Sequence, residues 1–176
     1  MKLSVTAWSF PQLTLAEVGG IAATLGLDGV DVGLFYASAL DKSRIISDAE
    51  RYGAEVAATV KLPVANYYHL FGADLAERNL AAGPANPQNL ADLKAVLAFA
   101  KAAGAPSIFV LPGLINPGQS RRQAFDNSVE ALKPLVEAGE QTGVAVTVEP
   151  HVHGLVESVD MAAEMVARVP GLKLTL

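Results

Sequence analysis

One stretch of the chain, Val144-Ala-Val-Thr-Val-Glu-Pro-His-Val-His-Gly154, turns an apolar, β-branched run into one carboxylate and two imidazoles. Glu149, His151 and His153 stand at alternate positions, and in an extended chain residues i, i+2 and i+4 project to one side. A carboxylate and histidines so displayed suit a Zn²⁺ or Mn²⁺ site, or the movement of protons as general acids and bases. A lone charge at the end of a buried strand is costly unless it is paired or bound to a metal. Spacing alone therefore leaves two readings of Glu149: a metal or acid/base group, or a structural ion pair, for which Lys61 is the candidate.

The elements that must position these residues alternate regularly. Apolar runs at residues 3–10, 29–35, 54–62, 107–113 and 144–154 read as strands, with a sixth begun at 172–176. Between them lie helical patterns with definite ends. Thr14…Glu17 and Ser120…Gln123 are capping boxes, Asp41 and Ser158 are N-caps, and Asn86-Pro87 sets a cap before a proline in the first turn. Gly26, Gly53, Gly104 and Gly143 mark helix stops. Pro134 falls inside the helix after Ser120, where a kink or break is expected. The longest connection, residues 64–84, carries Tyr67, Tyr68, His69 and Phe71, and long connections often form lids or binding loops.

Strand–helix alternation implies parallel strands with helical crossovers, in either an open doubly wound sheet or a (β/α) barrel. Trp8-Ser-Phe-Pro11 offers no Gly-x-Gly-x-x-Gly turn, which argues against dinucleotide binding. Trp8, Phe35, Lys61, Pro112-Gly113 and Glu149 instead fall at the ends of strands, where a barrel carries its site. The fold class expected is thus α/β, a (β/α) TIM barrel in one domain over residues 1–176, truncated after the start of strand six. A full barrel takes about 250 residues, and the chain has 176.

Bulk properties narrow the partners. With 51% hydrophobic and 18% charged residues, the composition suits strands covered on both faces. No apolar run reaches the roughly 20 residues of a membrane helix, so no membrane partner is expected. A net charge of −5 disfavours nucleic acid. The absence of cysteine excludes disulfides and thiolate metal sites and is compatible with a cytoplasmic location. Assembly into a homo-oligomer stays open.

With the strands placed, several stretches resemble the xylose-isomerase-like (β/α) barrels, a superfamily of sugar phosphate isomerases and epimerases. Gly26-Leu-Asp-Gly-Val-Asp31 is similar to its approach to strand two, and Val110-Leu-Pro-Gly113 to the end of strand four. Val148-Glu-Pro-His151 with Gly-Leu-Val-Glu-Ser158 is similar to strand five and the turn after it, and Pro170–Leu176 to the run into strand six. The resemblance implies that Glu149 binds a divalent metal (Mn²⁺, Co²⁺, Mg²⁺ or Zn²⁺) and acts as a catalytic acid/base. The reaction implied is isomerisation or epimerisation of a small carbohydrate through an enediolate. The family's remaining ligands, an aspartate, a histidine and a second glutamate from strands six to eight, would lie past Leu176. Activity of this chain by itself therefore stays open.

Within that frame His151, Trp8, Phe35, His69 and Lys61 are the candidate substrate contacts. Aromatics over a polar pocket suit sugar stacking and water exclusion, although a packing cluster explains them equally well. Asp31 resembles the family's acidic residue in strand two, and an ion pair is its alternative. Arg121-Arg122 could meet a phosphate or simply be solvated. Lyase chemistry on inositol derivatives, apurinic-site endonuclease chemistry and a catalytically inactive fragment are the competing functions.

Overall fold

The computed structural model describes residues 2–175. Its strands are β1 (Ser4–Thr6), β2 (Gly29–Val32), β3 (Val64–Tyr68), β4 (Ser107–Val110), β5 (Ala145–Val148) and β6 (Lys173–Leu174). Its helices are α1 (Leu15–Thr24), α2 (Lys42–Ser47), α3 (Ala49–Val60), α4 (Pro87–Ala103), α5 (Arg121–Thr142) and α6 (Val159–Arg168). The six strands make one sheet in the order β1-β2-β3-β4-β5-β6. β1–β2, β2–β3 and β5–β6 are parallel pairs. A doubly wound sheet reverses its strand order at a switch point. This sheet keeps sequence order throughout, which is the order of a (β/α) barrel.

The chain divides into two compact units, one of residues up to His69 with Ala95–Ile108, the other Leu70–Lys94 with Phe109 onward. In the first, the Thr14–Glu17 capping box starts α1 as expected, the Thr14 side chain accepting from the Glu17 backbone. The helix buries Val18 and Ala22, and its Gly19 lies against α3, where an added Cβ would stand 2.2 Å from the Val60 carbonyl oxygen.

Residues 54–60 of the expected third strand, 54–62, belong to the helix α3. The run Ala54-Glu-Val-Ala-Ala-Thr-Val60 fits a period of two as well as one of 3.6, a known ambiguity of short apolar runs. Packing decides it, because Gly53, Val56 and Val60 are buried together on one helical face. Gly53 is no helix stop either. It admits the Phe99 backbone, whose carbonyl oxygen would be 2.5 Å from a Cβ at that position. The break comes at Asp48, between α2 and α3. β3 starts later, at Val64, and takes in Tyr67 and Tyr68, so the long connection begins only after them.

Asp31 sits in β2 with the Ser4 hydroxyl donating to its two carboxylate oxygens at 3.3 and 3.2 Å. Burial pushes its carboxyl above the ordinary aspartate range, and the Ser4 hydrogen bonds offset part of that shift. A carboxyl better protonated folded than unfolded contributes stability at low pH, which is lost as pH rises through its raised pKa. Asp31→Asn is therefore expected to raise the urea midpoint at pH 7. It should also remove a fall in stability that starts near the ordinary aspartate value of about 4. An unchanged midpoint at pH 7 would show that Asp31 is not a destabilising charge.

In the second unit, α5 starts on the Ser120–Gln123 capping box and ends at Gly143, with φ at 77°. It runs unbroken through Pro134. A proline inside a helix forfeits a backbone hydrogen bond and costs about 3 kcal/mol. Here Leu132, Leu135 and Val136 are buried on both sides of it, so packing holds the helix together. The arginine pair at its start is committed to α6 and the segment before it. Arg121 donates to Leu155 O and Glu157 at 3.0 and 3.2 Å, and Arg122 pairs with Glu164 at 2.9 Å. Neither is a spare phosphate group.

Candidate functional site

β5 ends at Val148, so Glu149 is the first residue beyond it. It is half buried, and among the described residues its carboxylate makes no hydrogen bond and no ion pair. Lys61, the expected partner or substrate contact, is not at the end of a strand. It caps α3 in left-handed backbone, φ 58°, and precedes β3. The strand boundary lies further on than the sequence pattern indicates.

The alternation that put Glu149, His151 and His153 on one side does not persist. His153 has φ at 63°, which is turn backbone. The segment closes on itself: His151 N donates to Val156 O, Gly154 N to His151 O, and His153 N to Glu157 at 2.7 Å. The His153 bond is the main reason the Glu157 carboxyl is held below its ordinary range, with Arg121 adding to it. His151 is exposed, and its Nδ1 lies 2.7 Å from the Val152 carbonyl oxygen. No group of three or more metal-donor side chains comes together among the described residues. Glu149 and His151 offer the right donor types for a divalent ion, an oxygen and a nitrogen, as part of a ligand set.

In the first unit Trp8, Phe35 and Tyr68 form one aromatic group after β1, after β2 and at the end of β3. Phe35 stacks on Tyr68 with centroids 5.2 Å apart and planes 12° from parallel. Trp8 meets Phe35 edge-on at 5.9 Å and Tyr68 at 6.3 Å. Gly33 makes room for this arrangement, because a Cβ there would stand 2.8 Å from the Trp8 ring. Phe35 is 38% exposed, so part of its face is open. Tyr68 was legible as one of a run of aromatics, but its place in the group depended on knowing where β3 ends.

His69, the other candidate contact, is 1% exposed. It follows β3 with its Nδ1 3.1 Å from the Tyr67 hydroxyl, and Tyr67 in turn packs edge-on against Phe99 at 5.2 Å. A side chain so enclosed is not an open contact for a substrate. Burial also holds the Tyr67 hydroxyl well above the ordinary tyrosine range.

The connection after β3 is pinned within the second unit. Arg78 pairs with Asp92 at 2.7 Å and also donates to the Phe71 carbonyl. Asn79 accepts from Ala81 N and Leu114 N and donates to Asn116, while Gln119 and Asn127 both donate to Ala81 O. These amide bonds tie residues 79–81 to the segment after β4. No helix among the described residues is long and apolar enough to cross a membrane.

Comparison with known proteins agrees with this architecture. No curated protein matches the chain. Among solved structures it is similar to a D-psicose 3-epimerase with D-tagatose from Clostridium cellulolyticum H10, at 15% identity and a TM-score of 0.75, covering 99% of this chain and 62% of that one. It is similar to the IOLI protein with a bound zinc atom, at 18% identity and a TM-score of 0.74, covering 100% and 62%. It is similar too to an AP endonuclease, family 2, from Brucella melitensis, at 19% identity and a TM-score of 0.74, covering 99% and 67%. At these identities the likeness is one of fold, and the chain spans about 62% of the length of the first two. The family described as xylose isomerase-like TIM barrel matches residues 20–176. By this match, in agreement with the strand order, the chain belongs to the xylose isomerase-like TIM barrel family.

Proposed function

We propose that this chain contributes to a divalent-metal-dependent isomerase or epimerase acting on a sugar or sugar derivative. The observation that carries the reading is Glu149: a half-buried carboxylate just past β5 that makes no ion pair among the described residues. Leaving such a charge unmatched is costly, which favours a cation or a reacting proton as its partner. The epimerase fold likeness supports the same reaction class.

A divalent ion, when bound, would supply Lewis-acid polarisation of adjacent substrate oxygens. Glu149 would give it one carboxylate oxygen, and Mn²⁺, Co²⁺, Mg²⁺ and Zn²⁺ all accept that donor. As a general base Glu149 would also take the proton from the carbon next to the substrate carbonyl, and as the conjugate acid return it. Taken by itself, the aromatic group of the first unit leaves part of Phe35 open beside Trp8 and Tyr68, an apolar face of the kind on which sugar rings stack. His69, being buried, would support that unit from within and not touch substrate.

The test is proton exchange. The protein carrying these residues is incubated with Mn²⁺ and candidate ketoses in D₂O, and deuterium at the carbon beside the carbonyl is followed by mass spectrometry. Incorporation that is lost in Glu149→Gln is the expected result. Release of water from the substrate would instead identify a dehydratase, and cleavage at abasic sites in DNA a nuclease.

A further inference from the structure

The Tyr67 hydroxyl and the Val152 carbonyl each face one histidine ring nitrogen, and they differ in what they can do. A carbonyl only accepts. His151 Nδ1, 2.7 Å from Val152 O, must therefore carry the ring proton, and in the neutral ring Nε2 is then left with its lone pair. A hydroxyl can donate or accept, so the Tyr67–His69 bond has to be argued further. Tyr67 is fully buried, and among the described residues its hydroxyl has one hydrogen-bond partner, His69 Nδ1 at 3.1 Å. His69 Nε2 is buried and makes no hydrogen bond. If the hydroxyl accepted from Nδ1–H, both its own proton and the Nε2 lone pair would be left buried and unmatched, whereas if it donates only the Nε2 proton is, which is the less costly arrangement. Burial also keeps the phenol protonated. The hydroxyl therefore donates, Nδ1 accepts, and the His69 proton sits on Nε2.

We infer that His151 and His69 are locked in opposite tautomers, which makes His151 a nitrogen ligand for a divalent cation and removes His69 from any ligand set. An imidazole that donates Nδ1–H to a backbone carbonyl is oriented in the manner of metal-bound histidines. His151 is exposed, so that lone pair is accessible. His69 has no lone pair to offer, with Nδ1 engaged by Tyr67 and Nε2 protonated. Tyr67 is a positioning residue in this scheme. The cation part rests on the metal-dependent reading above, and the tautomers do not.

With only three histidines in the chain, long-range ¹H–¹⁵N correlation on uniformly ¹⁵N-labelled protein reads each tautomer directly. The spectrum is taken at about pH 8, above the ordinary histidine pKa of about 6.5. His69→Gln, His151→Gln and His153→Gln assign the signals. His151 is expected to show protonated Nδ1 and bare Nε2, and His69 the reverse. Tyr67→Phe should release His69 into a mixture of tautomers while leaving His151 unchanged. Zn²⁺ is then titrated in, and His151 Nε2 is expected to shift while His69 does not. Protonated Nε2 on His151, or bare Nε2 on His69, overturns the tautomer assignment. Zinc bound at Glu149 with His151 unmoved overturns the ligand role and leaves the metal-dependent reading standing. Tautomers as assigned with no zinc bound anywhere overturn the ligand role through the failure of that reading.

Discussion

Gly19→Ala is expected to destabilise the protein by about 2–3 kcal/mol, whereas Gly20→Ala, one residue along the same helix, should stabilise it by about 0.5–1 kcal/mol. Both glycines lie inside α1, where alanine has the better helix propensity. Intrinsic preference therefore predicts the same gain twice. The surroundings separate them. At Gly20 an added Cβ meets nothing within 4 Å. At Gly19 it would stand 2.2 Å from Val60 O, 3.0 Å from Val60 C and 3.2 Å from Val60 Cα. These are backbone atoms of α3, so no rotamer change relieves the clash, and the helices must separate. Separation would loosen the buried contacts of Val18 and Ala22 on α1 and of Val56 and Val60 on α3. Urea unfolding of the two single variants measures the difference directly. Equal effects of the same sign would mean that α1 and α3 do not pack as closely as described.

Glu149→Gln is expected to weaken Mn²⁺ or Co²⁺ binding by about 100-fold. Outer-shell partners of a metal are typically worth 10–100-fold in affinity, and a direct ligand belongs at or beyond the upper end of that range. The change keeps shape and removes charge. Because the carboxylate makes no hydrogen bond or ion pair among the described residues, and an unmatched half-buried charge opposes folding, the metal-free variant should be at least as stable as wild type. Calorimetric titration of wild type and variant, with urea unfolding of both, separates ligand loss from misfolding. Undiminished affinity in the variant would remove Glu149 from the metal site. A large loss of stability would instead identify it as a structural charge.

Much of this protein was legible from local chemistry. The capping boxes at Thr14 and Ser120 start helices where their side chains say they should, because a cap satisfies backbone donors within three residues of itself. Gly26, Gly104 and Gly143 adopt positive φ at helix ends for an equally local reason. Five of the six strand positions could be read approximately, since a continuous β-branched run between such caps has few alternatives. The family resemblance, read from a few motifs, agrees with the match over residues 20–176.

What local chemistry does not carry is register, extent and partnership. Residues 54–60 fit two periods equally, and burial of Gly53, Val56 and Val60 made them a helix, which moved β3 to Val64–Tyr68 and left Lys61 as a helix cap before that strand. Pro134 should break a helix on its own, yet packing on both sides of it holds α5 continuous. The Glu149–His151–His153 alternation presumes an extended chain, and a turn closed by hydrogen bonds through Val156 and Glu157 ends that geometry after Val148. The sequence by itself thus determined the family and the order of elements and singled out Glu149 as the candidate site residue, because these depend on residue types close together in the chain. Only the tertiary structure bears on which histidine has its lone pair open and which has it engaged, because a ring proton goes where its neighbour is a carbonyl and leaves where its neighbour must donate.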